Sequence, residues 1–188
     1  MAVHINSREA TIEDLYRVFE TNKAEIVNGE IRLMSPTGWL PGRASGRIYR
    51  SLDDHERATS SGRAFPDNVG FEVDLPNRKS FSPDAAWYVG AESGMRFPVG
   101  APRFAAEVRS ANDYGVQAER DMAEKRADYF AAGTLVVWDV DLQSDLVIRK
   151  YTQAGGPDQA VTVFRQGERA DAEPAVPGWT MSVDELFS

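Results

Sequence analysis

The chain contains no cysteine. That excludes disulfides and thiolate metal sites outright. Histidine is nearly as scarce: only His4 and His55 occur in 188 residues, too few for a multi-histidine zinc site. No run approaches the roughly 18 apolar residues that a membrane-spanning helix needs. The opening MAVHINSREAT lacks the basic flank and apolar stretch of a signal peptide. A soluble cytoplasmic protein is expected. Positive charge is also in short supply, since 21 basic residues against 29 acidic ones leave a net charge of −8. Such acidity raises the cost of approaching nucleic acid, unless local arrangement or a bound cation reverses the sign.

What remains is an ordinary globular mixture, 42% hydrophobic and 27% charged. Its length suits one domain with a real core, spanning 1–188. Thr11 precedes Ile12, Leu15, Val18 and Phe19 at helical spacing, predicting a short helix within Ser7 to Asn22 with Asp14 as the partner of a Thr11 cap. AEIVNGEIRLM reads as a hairpin around Asn28-Gly29, because both residues tolerate positive φ. Alternation from Glu30 to Leu33 suggests one wet face. After the turn Ser35-Pro36-Thr37-Gly38, with Pro41 and Gly42 extending the loop, a helix is expected from Arg43 to about Ala58, with Ile48 and Leu52 inward. His55 falls among acids and reads as part of a solvated helix face, with a ligand or base role as the lesser alternative.

A β meander follows, with a run from Val69 to Leu75 turning into a strand from Phe81 to Val89. Gly90 to Pro102 is an irregular connection, and Arg103 to Arg109 is the next strand. Val116 to Ala132 is the clearest helix, with Gly133 as its terminator. Leu135 to Val140 is almost continuously apolar, as expected of a strand covered on both faces. Leu146 to Tyr151 and Ala160 to Arg165 make a further hairpin, and PGWTMSVDELF docks its apolar side chains onto the body.

Two charged residues sit oddly inside apolar strands. Asp84 heads the run Ala-Ala-Trp-Tyr-Val, and Glu107 interrupts Phe104-Ala-Ala-Glu-Val. A carboxylate there needs a metal, a cation or hydrogen bonds when buried. Two carboxylates on neighbouring strands can hold a hard divalent cation, and Lys125 on the following helix can orient a water or offset charge on a phosphate. Each has a plain alternative: Asp84 shapes the strand entry, Glu107 pairs with Arg109 or Lys125, and Lys125 is solvated. Gln117 and Glu119 could support the site from behind, but polar surface is the leading reading.

The phrases EIVNGEIRLMSPTG, SPDAAWYV, EVRS, EKRADYFAAG followed by VVWDVD, and AVPGWTMSVDELF together resemble the Uma family of restriction-endonuclease relatives, within the PD-(D/E)XK nuclease superfamily. The resemblance covers most of the chain. It implies an α/β (α+β) fold: a restriction-endonuclease-like core whose mixed central sheet is flanked by helices, with extra N-terminal and C-terminal hairpins. It also implies a metal-dependent endonuclease that hydrolyses DNA. Mg²⁺ or Mn²⁺ would be held by Asp84 and Glu107, with Lys125 assisting and a homodimer expected. The usual lysine of the second motif is replaced by Arg109, which cannot accept a proton but can bind phosphate in a bidentate way. Relatives resembling SPTGxE carry an additional acid where this chain has Trp39, Leu40 and Pro41. That departure, with the acidic balance, keeps a second reading open: a catalytically inactive nuclease-fold module for binding or assembly. A hydrolase of smaller phosphate esters has nothing in its favour.

Overall fold

The computed structural model describes residues 9–19 and 23–188, so His4, Ser7 and the end of the expected first helix at 20–22 lie outside the described residues. Helix α1 spans Ile12–Phe19. Thr11 N donates to Asp14 Oδ2 at 3.0 Å and Asp14 N donates back to Thr11 Oγ1 at 3.3 Å. Aspartate thus does in this box what glutamate usually does.

Strands β1 (Ala24–Val27) and β2 (Glu30–Leu33) form the expected hairpin, with Asn28 at φ 52° and Gly29 at φ 73°. The burial differs from the alternating pattern expected of β2. All four residues of β1 are buried, Glu25 included, while β2 is mostly exposed and leaves Leu33 51% open.

Helix α2 spans Trp39–Thr59 and starts earlier than the sequence suggests. Pro41 falls within its first turn, where a missing N–H breaks no helical bond. Gly42 N then donates to Gly38 O at 3.1 Å. The helix ends at Ser60, whose left-handed backbone caps Glu56 O.

The remaining elements are β3 (Arg63–Phe65), β4 (Phe71–Glu72), β5 (Ser80–Phe81), β6 (Ala85–Tyr88), β7 (Phe104–Val108), α3 (Val116–Ala131), β8 (Val136–Val140), β9 (Ile148–Thr152), β10 (Thr162–Phe164), β11 (Arg169–Asp171) and β12 (Thr180–Ser182), followed by a 3₁₀ helix at Val183–Phe187. The single strand expected from Phe81 to Val89 is divided. Pro83 interrupts it, β5 pairs with β4 as a separate hairpin, and β6 joins the central sheet. The meander is therefore β3–β6–β7, with β4 and β5 as an excursion.

The central sheet runs in the order β10-β9-β8-β7-β6-β3. Its β7–β8 pair is parallel, bridged by α3, and its other pairs are antiparallel. Side-chain alternation gives the sheet two apolar faces. Trp87, Phe104, Ala106 and Trp138 pack with Ile48 and Leu52 of α2 and with Trp179 and Met181 near the C-terminus. Ala86, Ala105 and Val137 pack with Tyr129 and Phe130 of α3. All five residues of β8 are buried between these layers, as its apolar run requires. No helix among the described residues is long and apolar enough to cross a membrane.

Candidate active site

Period-two alternation along β7 turns Ala105, Glu107 and Arg109 toward α3, while Phe104, Ala106 and Val108 face α2. Asp84 reaches the same side from the bend before β6. Its N–H donates to Ala106 O at 3.0 Å, and Val108 N donates to its Oδ2 at 2.7 Å. These two bonds fix the Asp84 carboxylate beside the Glu107 strand. Both side chains line a cleft of about 910 Å³.

Lys125 enters from α3. Its Nζ lies 2.9 Å from Glu107 Oε2 and 3.0 Å from Glu25 Oε1. One turn on, Tyr129 stacks on Phe81 with ring centroids 3.9 Å apart and donates its hydroxyl to Glu107 Oε1 at 2.6 Å. Glu25, almost wholly buried in β1, also accepts from Arg78 Nη1 and Ser82 N, each at 2.7 Å. Arg78 Nε reaches Asp128 Oδ2 at 2.7 Å. On the other side, Lys23 Nζ bridges Asp84 Oδ1 at 2.8 Å and Asp67 Oδ1 at 2.6 Å.

The charges therefore form two alternating rows, Asp128–Arg78–Glu25–Lys125–Glu107 and Asp84–Lys23–Asp67. Their acidic ends, Glu107 and Asp84, line the same cleft and repel each other. Five carboxylates face three cations, a formal charge of −2. Burial holds the Glu107 carboxyl above its ordinary range; Lys125 counteracts this, while Asp84 and Glu25 add to it. Burial also works against the Lys125 ammonium, but Glu107 and Glu25 outweigh it and raise its pKa. Lys23 likewise overcomes burial through Asp84 and Glu107 and is raised. Burial pushes Glu25 upward, yet Lys125, Arg78 and the Ser82 N–H bring it below the usual carboxylate value. Burial, then Glu107 and Glu25, put the Tyr129 phenol well above its ordinary range.

Asp84, Glu107 and Lys125, selected from sequence, thus come together. Arg109 shares their face, but its guanidinium is largely taken. Nε and Nη2 donate to Asp139 at 2.7 Å each, Nη2 also reaches Glu119 at 3.1 Å, and Nη1 bonds Glu119. One of its five N–H groups is left. Glu119 is thus an anchor for Arg109 rather than free polar surface, while Gln117 bonds Asp121 on the exposed helix. His55 is a correction too: its ring lies 5.5 Å from Trp87, and Nε2 is buried without a hydrogen-bond partner. Trp87 belongs to the α2 side of the sheet, so His55 lies away from the cleft.

Lys23, Glu25 and Tyr129 were missed. Glu25 carried a usable signal, because it interrupts the apolar run Ala-Glu-Ile-Val just as Glu107 interrupts its own strand. Among the described residues no group of three or more acidic, histidine or cysteine side chains is arranged to hold a metal. Magnesium requires less: one or two carboxylates suffice, with water and substrate phosphate completing the shell.

Comparison with known proteins agrees with this architecture. No curated protein matches the chain in sequence. Among solved structures it is similar to "a putative nuclease belonging to DUF820" from Anabaena variabilis ATCC 29413, with a TM-score of 0.70 at 16% identity, over 95% of this chain and 97% of that one. At that identity the likeness shows a shared mixed α+β fold. The sequence model of the Uma2 family, described as "Putative restriction endonuclease", matches residues 11–184. That match takes in every element from α1 to β12, and the chain belongs to the Uma2 family.

Proposed function

We propose that the chain is a divalent-metal-dependent endonuclease that hydrolyses DNA phosphodiester bonds. The family and the nuclease-like fold support a nuclease function. The observation that carries the finer reading is the pair of acidic ends, Asp84 and Glu107, that line one cleft and repel each other. Within each row every neighbour is an opposite charge, and one divalent cation matches the formal excess of −2. The donor set suits Mg²⁺ or Mn²⁺, which prefer carboxylate oxygen and leave positions for water and phosphate.

A cation held by Asp84 and Glu107 would polarise the scissile phosphate and lower the pKa of the attacking water. The chain's own residues supply the rest. Lys125 stays protonated between two carboxylates, so it acts as a donor to the water or to a phosphate oxygen. Glu25 holds that ammonium charged and aimed. Tyr129 fixes one Glu107 oxygen and leaves the carboxylate a defined orientation, while the Val108 N–H does the same for Asp84. Arg109 acts as a positioning residue that ties β7 to β8 and α3.

One observation favours the inactive-module reading. Lys23 already neutralises Asp84 at 2.8 Å, as an ammonium would in a site that has given up its metal. The test uses supercoiled plasmid with and without Mg²⁺ or Mn²⁺, and isothermal titration of each metal. Wild type should bind metal and cleave, and Asp84→Ala and Glu107→Ala should do neither. Equal cleavage by wild type and Asp84→Ala would expose a contaminating nuclease. Absence of both cleavage and metal binding in wild type would establish the module.

A further inference from the structure

The cleft itself is acidic, yet its proposed substrate is a polyanion. A docking surface of the opposite sign is needed, and the N-terminal half of α2 has that character. From Trp39 to Leu52 the helix carries Arg43, Arg47 and Arg50 and no acid, in a chain of net charge −8. None of the three arginines pairs with an acidic side chain among the described residues, whereas Arg57 further along the helix pairs with Asp53. No acid sits in the first turn to offset the positive end of the helix dipole.

Position and shape agree with charge. The residues leading into α2, Thr37 and Gly38, line the cleft. Ser45, on the buried side of α2, donates to the backbone oxygen of Asp84 at 2.7 Å. Trp39 is 75% exposed at the helix start, with Arg43 over its ring at 5.4 Å. Gly46 has open space where a side chain would be, so a ligand backbone can approach closely there. Arg43 to Arg50 spans about 10 Å at 1.5 Å per residue, the axial length of about three phosphates on one strand. Arg43 and Arg47 already converge on a single oxygen, a backbone oxygen of Ser188, at 2.9–3.3 Å. The two side chains are therefore placed to clasp one oxygen acceptor.

We infer that the Trp39–Arg50 face of α2 is the docking track for the DNA backbone, delivering duplex to the Asp84–Glu107 cleft with Trp39 as an aromatic platform at its mouth. This rests on the nuclease reading for its choice of partner. The contacts are electrostatic, so they should appear in the salt dependence of binding, where each phosphate contact contributes about 0.9 to the slope of log affinity against log salt. A base stacked on an exposed aromatic adds a contact that salt does not screen.

The experiment measures fluorescence anisotropy of a labelled short duplex in EDTA, where no metal-dependent cleavage occurs, across a salt series. Arg43→Gln/Arg50→Gln should bind about tenfold or more weakly, with a slope smaller by about two. Arg50→Gln alone, which disturbs no contact to Ser188, should lower the slope by about one. The matched control Arg103→Gln/Arg165→Gln removes the same charge elsewhere and should change little. Trp39→Ala should weaken binding about fivefold or more with the slope unchanged. Thermal melts by circular dichroism verify that each variant folds. Wild-type affinity in the α2 variants, an equal loss in the control, binding of single strands only, or no duplex binding by wild type at low salt would each overturn the track. Binding through α2 without cleavage at any metal concentration would keep the track and remove the endonuclease. Cleavage by wild type with α2-independent binding would do the reverse.

Discussion

Glu25 and Lys125 meet at 3.0 Å at the wall of the cleft, one from the N-terminal hairpin and the other from α3. Lys125 also reaches Glu107, so its ammonium is held by two carboxylates on separate strands. A lysine placed this way stays charged and cannot swing freely into solvent.

Replacing Glu25 tests that restraint. Glu25→Gln keeps the shape and can still accept from Ser82 N, but it removes the charge that helps hold Lys125. Cleavage should fall by about 10–100-fold, with metal affinity nearly unchanged, because Glu25 is not one of the proposed ligands. Glu25→Ala should also cost about 1–3 kcal/mol of stability, since it leaves Arg78 with Asp128 alone and the buried Ser82 N–H without its acceptor. The folded-state pKa of Glu25 lies below its unfolded value. Its contribution is therefore present above the unfolded pKa and lost as pH falls through the folded one. Chemical denaturation from pH 7 to pH 3 should show the wild-type advantage over Glu25→Gln shrinking toward acid.

Glu107 has the opposite sign. Its folded-state pKa is raised, so the stability linked to it is full below the unfolded pKa and is lost as pH rises through the folded value. In metal-free buffer at pH 8, Glu107→Gln should melt higher than wild type, with the gap closing toward pH 4. Saturating Mg²⁺ should raise the wild-type melting temperature, by about 2.7 kcal/mol of stability at a hundredfold excess over Kd. It should leave Glu107→Gln where it was. A Glu107→Gln melting temperature well below wild type at pH 8 would contradict the assignment.

Lys125→Ala removes one electrostatic donor from the proposed reaction. Its cleavage rate should fall by about 10²–10³-fold, while Asp84→Ala and Glu107→Ala lose cleavage with their metal. Single-turnover rates on one plasmid substrate separate these cases. A Lys125→Ala rate within threefold of wild type would place the lysine outside the chemistry.

Tyr129→Phe deletes only the hydroxyl that donates to Glu107 and retains the stack on Phe81. Losing a hydrogen bond to a charged acceptor costs about 1.5–3 kcal/mol, and the Glu107 pKa should rise further without its donor. The acid limb of the pH–rate profile should therefore move to higher pH. An unmoved limb with lowered stability would mean that Tyr129 serves packing alone.

The site was legible to the extent that its chemistry fell on neighbouring strands in a recognisable order. Asp84 and Glu107 stood out as charges within apolar runs, and β8 is buried as its composition demands. Glu25 did not stand out because AEIVNGEI also reads as a hairpin with alternating polarity; its burial depends on Arg78 and Ser82, more than fifty residues away. Lys23 and Tyr129 owe their roles to the same kind of distant contact. Arg109 looked free for phosphate, since nothing local shows that Asp139 lies beside Glu107 in the β7–β8 register. Proline misled twice in opposite ways. Pro41 was tolerated inside a first helical turn, whereas Pro83 broke a strand that seemed continuous.

The N-terminal hairpin carries a consequence beyond the chemistry. It joins the body through the Glu25–Arg78 pair, the Ile26 N–H on Ser80 Oγ at 2.9 Å and the Lys79 N–H on Ile26 O at 3.1 Å. Lys23, which reaches Asp84, and Glu25, which reaches Lys125, are therefore borne by one buried segment at the edge of the cleft. Opening of this hairpin would take Lys23 from Asp84 and leave Lys125 with Glu107 alone, so a proteolytic nick near Asn28 would weaken a cleft whose sheet is still intact. Occupancy of the cleft should in turn slow amide exchange along β1, which makes that strand a reporter of the loaded state.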